Sequence, residues 1–408
     1  MSVDGPETSL APNVYNDILA KTQKRHRLLT VQWELTYRCN EKCSHCYIDV
    51  FAPHADVPGE LSTVECLRVL NEMAELGVLN LTLSGGEILV RRDFFEIAEY
   101  ARSKKFLLRL FTNGILIKPE IADRIAALHP YAMELSLYSV TPVIHDQITR
   151  LNHSWELTMR AIRMLRERNL RVVIKTPVMR ENVGELDALK ALTNDLGAQF
   201  RYDITITPKD TGGLEPLKHR LTYQELVGLF QKEIDPSLWI GRTVSDDTRT
   251  CGISMNAMAL DPYGNVIPCL QTRFNAGNVR EKSLKAIWES SPVWKQVDNL
   301  TLGELPVCRT CELRTLCVRC HGLALAEDGD LRAPAMVNCR EALARRQALI
   351  DRGELSPDHP VPAHLQDYAF QVLSGKVDFN HQPALNFIPL SALSRPGIGV
   401  DSSPQLIN

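Results

Sequence analysis

Short apolar runs alternate with longer amphipathic segments from residue 31 to about residue 235. The short runs have the length and composition of buried strands, and they predict strands at 31–36, 79–84, 107–112, 131–138, 171–178 and 201–207. The longer segments repeat apolar residues at helical spacing, and they predict helices at 62–76, 93–104, 118–127, 155–168, 183–196 and 222–235.

This alternation predicts the fold class. Strands that alternate with helices pair in parallel through right-handed crossovers, which curl the sheet toward a barrel. Six units do not close an eight-stranded barrel, so we expect an α/β fold with an open, partial (β/α)6 TIM-like barrel. Active sites in such folds lie at the carboxyl ends of the strands.

The alternation stops near residue 240, where cysteines, glycines and short turns become dominant. This change predicts a small cysteine-rich C-terminal domain that is held by metal rather than by a large core. We therefore divide the chain into an N-terminal segment (1–30), the barrel (31–240), the cysteine-rich domain (241–345) and a mostly irregular tail (346–408).

Charge and composition exclude several classes of protein. A net charge of −3 and a pI near 6.4 give no indication of nucleic-acid binding. Residues 1–12 lack the pattern of a signal peptide, and no apolar run is long enough for a transmembrane helix. We therefore expect a cytoplasmic protein with no membrane or nucleic-acid partner.

The cysteines are clustered. Of 11 cysteines, three lie at 39–46, one at 66 and the others between 251 and 339. Disulfides rarely persist in a reducing compartment, and ligation of metals or clusters explains this clustering better than a disulfide framework.

Cys39, Cys43 and Cys46 form a CxxxCxxC triplet directly after the first predicted strand. Three thiolates can hold three irons of a 4Fe–4S cube and leave the fourth iron open for a ligand. Zinc bound by these cysteines and His45 is the alternative. We favour the cluster because His45 directly precedes Cys46, which makes tetrahedral closure awkward.

The triplet resembles the signature of the radical S-adenosylmethionine enzymes, CxxxCxΦC, with His45 at the usually aromatic Φ position. Gly85, Gly86 and Glu87 at the end of the second predicted strand resemble the second motif of that family. The resemblance implies that these three residues bind the amino group of the methionine moiety. Glycines permit a close backbone approach, and a carboxylate pairs with an ammonium group.

The resemblance also implies further cofactor contacts. Asn113 ends the third strand in a Thr-Asn-Gly sequence, and Ser136 lies on the fourth strand. Arg150 resembles the arginine that pairs with the methionine carboxylate, and Tyr47 is expected beside the cluster.

The implied activity is reductive cleavage of S-adenosylmethionine. An electron donor such as flavodoxin or ferredoxin reduces the cube, which passes one electron to the sulfonium. The resulting 5′-deoxyadenosyl radical abstracts hydrogen from an unactivated C–H bond. A metal-binding scaffold without enzymatic activity is the non-catalytic alternative.

The C-terminal cysteines resemble the SPASM extension of such enzymes, which carries two auxiliary 4Fe–4S clusters, although the last Cys-x2-Cys spacing is one residue short. By position, one auxiliary cluster takes Cys251, Cys269 and Cys320, with an open or non-cysteine fourth ligand. The other takes four cysteines, namely Cys308, Cys311, Cys317 and Cys339. One zinc site plus spare thiols is the alternative.

Enzymes with this extension mostly modify peptides, so the resemblance predicts modification or cross-linking of a ribosomally made peptide. About 30 residues precede the first strand, which predicts a separate leader-recognition partner or direct capture at the barrel mouth. Leu270 and Gln271 follow Cys269 where sulfatase-maturing enzymes have aspartate, which argues against that activity. Oxidation or decarboxylation of a tetrapyrrole is the rival.

Two weaker predictions complete the site. Asp203, at the sixth strand, is the candidate substrate base. Tail residues near Phe370–Phe387 are candidates for covering the barrel mouth.

Overall fold

The computed structural model describes residues 14–298 and 300–367. Within them lies one nine-stranded sheet of order β6-β5-β4-β3-β2-β1-β7-β8-β9. The strands are β1 Thr30–Glu34, β2 Asn80–Ser84, β3 Leu107–Thr112, β4 Ala132–Ser136, β5 Val172–Pro177, β6 Gln199–Asp203, β7 Ala257–Leu260, β8 Asn265–Ile267 and β9 Gly277–Asn278.

The first six strands pair in parallel and in chain order, so the predicted partial barrel is confirmed. The sheet continues beyond them, because β7 pairs in parallel with β1, and β8 and β9 follow in antiparallel order. The cysteine-rich region therefore adds strands to the barrel sheet instead of forming a separate layer.

The α-helices of the described residues surround this sheet. Their bounds are α1 Val14–Lys24, α2 Thr63–Glu75, α3 Phe94–Ser103, α4 Pro119–Leu128, α5 Pro142–Thr149, α6 Ser154–Glu167, α7 Leu186–Asp195, α8 Tyr223–Glu233, α9 Leu284–Ser290, α10 Pro292–Asp298, α11 His321–Asp328 and α12 Met336–Asp351. None of the described helices is long and apolar enough to span a membrane.

Three local predictions were wrong. Helix α5 was missed, and β6 ends at Asp203 instead of 207, since the Asp203 carboxylate accepts a hydrogen bond from Thr205 N at 2.7 Å and turns the chain. The expected tail boundary at 346 falls inside α12, which packs on α8. Residues 370–387 lie outside the described part of the chain.

The two largest of the hydrophobic clusters in the described residues hold most of these elements. The larger core lies between the sheet and helices that include α2, α3, α4 and α6, and its largest fully buried side chain is Trp33 of β1. The smaller core joins α8 to α12 and includes Phe230, Leu343 and the ligand candidate Cys339. The barrel and the C-terminal cysteines thus share packed side chains.

Candidate active site

The first cysteines lie in the loop that follows β1 at the carboxyl end of the sheet. We call residues 35–51 the cysteine loop. Cys39 N donates to Phe51 O at 2.9 Å, and Ser44 N donates to Ile148 O at 2.8 Å. The loop is therefore fastened to itself and to the end of α5, which presents Cys39, Cys43 and Cys46 to one space.

The three thiols are close enough to interact. Burial raises the pKa of Cys43, and the charges of Cys46 and Cys39 raise it further. Burial raises the pKa of Cys46 to about 11. Iron ligation must therefore displace protons from these thiols, since thiolates are the ligands of a cluster.

The cysteine loop also holds buried polar atoms that have no hydrogen-bond partner in the described part of the chain. They are Asn40 Nδ2, Glu41 Oε1, Ser44 Oγ and His45 Nδ1. Buried polar groups are almost always hydrogen-bonded, so these atoms fit a loop that surrounds a bound cofactor. No three His, Cys, Asp or Glu side chains in residues 14–298 and 300–367 converge on a site for a single metal ion. A 4Fe–4S cluster does not require such convergence, because each thiolate binds a different iron.

Gly85 and Gly86 are needed for contact between β2 and the cysteine loop. A Cβ at Gly85 would lie 2.3 Å from Thr36 O, and a Cβ at Gly86 would lie 2.3 Å from Arg38 O. Gly86 N donates to Thr36 O at 2.7 Å. The glycines permit the close backbone approach expected of them, but the backbone they approach is that of the cysteine loop.

Glu87 joins the ends of β2 and β3. Its buried carboxylate accepts hydrogen bonds from Thr112 Oγ1 at 2.8 Å, Asn113 N at 2.8 Å and Leu89 N at 3.0 Å. Asn113 Nδ2 in turn donates to Asn40 Oδ1 at 2.8 Å. Both residues therefore lie against the cysteine loop, and their predicted contact with the methionine moiety stays a prediction.

Ser136 reaches the cysteine loop through Tyr138. Burial raises the pKa of Tyr138, and a hydrogen bond from Ser136 opposes this. The Tyr138 hydroxyl lies 3.9 Å from Cys43 Sγ, and the Tyr138 ring packs edge-on against His45 with centroids 4.8 Å apart. The fourth strand thus supplies one wall of the cysteine site.

Tyr47 lies in a buried polar network that sequence reasoning missed. Its hydroxyl donates to Glu34, which also accepts from Tyr37 at 2.9 Å and pairs with Arg273 at 3.3 Å. Arg273 comes shortly after Cys269, so this network ties the end of β1 to the C-terminal cysteines. No spacing or motif in the sequence indicated that pairing.

Two further predicted site residues have exposed side chains. Arg150 lies at the left-handed C-cap of α5, directly after Thr149, whose carbonyl accepts a hydrogen bond from Lys42 N of the cysteine loop at 3.2 Å. Asp203 lies at the end of β6. The roles of both residues stay predictions.

Residues 204–214, which we call the crossing loop, lead from β6 across the barrel mouth. Asp210 N donates to Tyr47 O at 2.8 Å, and Lys209 and Thr211 bind Asp49. The segment after β6 is thereby joined to the cysteine loop, which follows β1. Sequence reasoning assigned part of this segment to a strand and missed the closure.

The C-terminal cysteines fall into two groups. Burial raises the pKa of Cys320 to about 12, and the charges of Cys269 and Cys251 contribute. Burial also raises the pKa of Cys339, with contributions from Cys317, Cys308 and Cys311. The assignment of these cysteines to two auxiliary clusters stays a prediction.

The second group lines one cavity. Cys308, Cys311, Cys317 and Cys339 surround it together with Arg319 and His364. Arg319 donates a hydrogen bond to Cys308, and the charge of Arg345 favours the thiolate of Cys317. An apolar cavity with four cysteines and nearby cations fits an anionic iron–sulfur cluster.

Comparison with known proteins identifies the family. Residues 33–192 match the model of the Radical SAM superfamily, and residues 251–312 match SPASM, an iron–sulfur cluster-binding domain. The chain belongs to the radical S-adenosylmethionine enzymes with a SPASM domain. The predicted enzyme class is confirmed, and S-adenosylmethionine and iron–sulfur clusters are its cofactors.

Three relatives illustrate the similarity. The mycofactocin maturase MftC of Mycobacterium ulcerans is 30% identical over 66% of this chain and 76% of its own. The AdoMet-dependent heme synthase of Methanosarcina barkeri is 29% identical over 74% and 93%. The PqqA peptide cyclase of Granulibacter bethesdensis is 26% identical over 80% and 91%.

A solved structure shares the fold. SuiB of Streptococcus suis bound to S-adenosylmethionine superposes with a TM-score of 0.58 at 16% identity, covering 81% of this chain and 82% of that one.

Proposed function

We propose that this protein modifies a ribosomally made peptide by radical oxidation or cross-linking. The observation that carries the proposal is the arrangement of ten cysteines in three groups, one at the carboxyl end of β1 and two in the C-terminal part. An enzyme with several clusters can remove both a hydrogen atom and an electron from one substrate. Relatives that include a maturase and a peptide cyclase support a peptide as that substrate.

We assign the clusters by these groups. Cys39, Cys43 and Cys46 would hold the cluster of the radical reaction, Cys251, Cys269 and Cys320 would hold one auxiliary cluster, and the four cysteines of the cavity would hold the other. S-adenosylmethionine, when bound, would supply a radical that abstracts hydrogen from carbon.

The chain's own residues shape the place where that radical forms. His45, Tyr47, Gly85, Gly86, Glu87, Asn113, Ser136 and Arg150 are our candidates for the S-adenosylmethionine site. Glu87 and Asn113 fix the ends of β2 and β3 against the cysteine loop. The crossing loop lies over the mouth at Tyr47 and helps to exclude water from it.

A tetrapyrrole substrate is the second candidate. Its support is the heme synthase relative, which matches 93% of its own length. The peptide is favoured because two kinds of relative, one named as a maturase and one as a peptide cyclase, support it.

One reconstitution experiment separates the two candidates. The enzyme is loaded anaerobically with iron and sulfide, reduced, and given S-adenosylmethionine with either a short peptide encoded beside its gene or a tetrapyrrole that bears propionates. We expect 5′-deoxyadenosine to form and the peptide to change mass. Turnover of the tetrapyrrole with an unchanged peptide would reverse the assignment.

The remaining partners are part of the proposal. An electron donor such as flavodoxin or ferredoxin should replace the chemical reductant in the same assay. A separate leader-recognition protein should lower the peptide concentration needed for half-maximal modification. If neither addition changes the rates, these two partners are not required.

A further inference from the structure

A histidine and a carboxylate that no motif indicated lie together at the barrel mouth. Glu181 follows the end of β5, and His219 ends the short 3-10 helix that follows the crossing loop. Arg180 N donates to His219 O at 3.1 Å, which fixes the two segments side by side. His219 is 5% exposed.

The two side chains form a directed pair. His219 Nδ1 lies 2.6 Å from Glu181 Oε1. A carboxylate can only accept, so Nδ1 carries the proton in this contact, and the neutral ring then keeps its lone pair on Nε2. His219 Nε2 is buried and has no hydrogen-bond partner among residues 14–298 and 300–367. A base oriented by a carboxylate, with its other nitrogen open, is the arrangement of a proton acceptor.

The pair lies beside the wall of the cysteine site. Met179, which precedes Arg180 and Glu181, packs in one buried cluster with Tyr138, Ile206 and Cys43. Arg220 Nε, next in the chain to His219, donates to Ile206 O at 2.8 Å. Both segments that carry the pair are therefore fastened to the cluster that contains Cys43.

The charges around His219 are Glu181 and Arg180 after β5, His45 in the cysteine loop and Arg220 next in the chain. The charge of Arg220 is met by Glu327 of α11 at 2.7 Å, and Arg180 pairs with Glu225 at 3.7 Å. Glu181 is therefore the charged group that is directed at the imidazole.

We propose that His219 takes the proton that the substrate loses during oxidation and that Glu181 is its positioning residue. The inference rests on the proposed oxidative function. A two-electron oxidation removes a hydrogen atom, an electron and a proton. The hydrogen atom goes to the radical derived from S-adenosylmethionine and the electron to an oxidised iron–sulfur cluster. The proton from an N–H, O–H or C–H group next to the radical carbon goes to His219 Nε2, while a double bond or cross-link forms in the substrate.

The test compares three variants in the reconstituted enzyme. His219→Asn keeps a donor toward Glu181 but removes the base, so peptide product should fall by about 100-fold or more. Cleavage of S-adenosylmethionine to 5′-deoxyadenosine should stay within about twofold of wild type, because His219 acts after hydrogen abstraction. Glu181→Gln should lower product formation less. His153→Asn, at a side chain that is 83% exposed, is the matched control.

A second readout separates positioning from folding. Glu181→Gln should lower kcat for the peptide and leave KM within about twofold, and Glu181→Asp, which keeps a carboxylate acceptor for Nδ1, should restore part of the rate. Without turnover, unreduced Glu181→Gln should bind the peptide within about twofold of wild type in a fluorescence anisotropy titration, because Glu181 acts through His219 and not on the bound peptide.

The outcomes separate the inference from the proposed function. If wild type modifies no peptide, the proposed function fails. If wild type modifies the peptide and His219→Asn does so at the same rate, or if Glu181→Gln leaves kcat at the wild-type value, the inference is overturned.

Discussion

The two cysteine regions of this protein are built in different ways. The first holds its three candidate ligands within one loop at the end of a buried parallel strand. The second gathers seven cysteines from loops and helices that are spread between residues 251 and 339. Local backbone geometry is sufficient to define the first region, whereas the second requires the chain to be folded before its ligands meet.

The contacts that hold each region reflect this difference. The cysteine loop is fixed by backbone hydrogen bonds to β2 and α5. The second region depends on long-range side chains, such as Arg345 of α12 binding Leu316 O and Arg220 pairing with Glu327. The second region should therefore respond more strongly to loss of a single distant contact.

The largest expected effect separates the functions of the two regions. Replacing Cys39, Cys43 and Cys46 by Ala should remove about four of about twelve irons and abolish cleavage of S-adenosylmethionine. Replacing Cys308 and Cys311 by Ala should also remove about four irons but leave cleavage measurable. Iron analysis and 5′-deoxyadenosine quantification check both.

Cys66 supplies the control for this comparison. It is fully buried in the larger core and belongs to none of the three groups. Cys66→Ala should keep the full iron content and cleavage activity. Persistent cleavage in the triple variant would show that the first region is not the site of the radical reaction.

The next effect concerns the buried ion pair between Arg220, which follows His219 in the chain, and Glu327 of α11. Glu327→Gln leaves the Arg220 guanidinium, 3% exposed, without its partner charge. Breaking a buried ion pair from one side costs about 3–5 kcal/mol, so the melting temperature should fall clearly. Arg124→Gln, in a pair with both side chains more than half exposed, should cost at most about 1 kcal/mol. Equal melting temperatures for the two variants would contradict this ranking.

A smaller effect is expected from Gly86, which packs against the cysteine loop. Gly86→Ala places a Cβ 2.3 Å from Arg38 O, and overpacking of this kind costs about 1–3 kcal/mol. Gly228→Ala, in α8 with nothing within 4 Å of the added Cβ, should stabilise by about 0.5–1 kcal/mol. Thermal unfolding should therefore shift in opposite directions. If the melting temperatures of both variants shift in the same direction, the cysteine loop moves to accommodate the added Cβ.

The smallest effect concerns the partly exposed ion pair between Glu65 of α2 and Arg280, which follows β9. A hydrogen bond from Arg280 lowers the pKa of Glu65 from 4.5 to about 2. The stabilisation is therefore complete above pH 4.5 and is lost as the pH falls toward 2. Arg280→Gln should flatten stability across this window and cost at most about 1 kcal/mol at neutral pH. If the acid unfolding curves of wild type and Arg280→Gln superimpose, the ion pair of Glu65 contributes no pH-dependent stability.

Many of the strands and helices of the barrel could be predicted from local sequence patterns. Strand β3 was predicted with its observed bounds, because its alternation of buried and half-buried positions is visible in the sequence. Helix α2 begins one residue after Ser62, whose capping box was also visible. Helix α5 was missed because Pro142 at its start and its eight-residue length gave a weak periodic signal.

Other features depended on partners that are distant in the chain. The pairing of β7 with β1 joins residues more than 200 positions apart, and nothing in either strand specifies the other. The same is true of Arg273 with Glu34 and of His219 with Glu181. A lone histidine or arginine in a loop carries no signal of its partner.

The sequence by itself determined the family, the three-cysteine loop and the α/β barrel, because strand period, helix period and cysteine spacing are local properties of a chain. Only the tertiary structure decided that the sheet runs on into the cysteine-rich region, that the crossing loop spans the mouth, and that His219 pairs with Glu181. Those features arise from packing and hydrogen bonding between remote segments, and such contacts form only when the whole chain is folded.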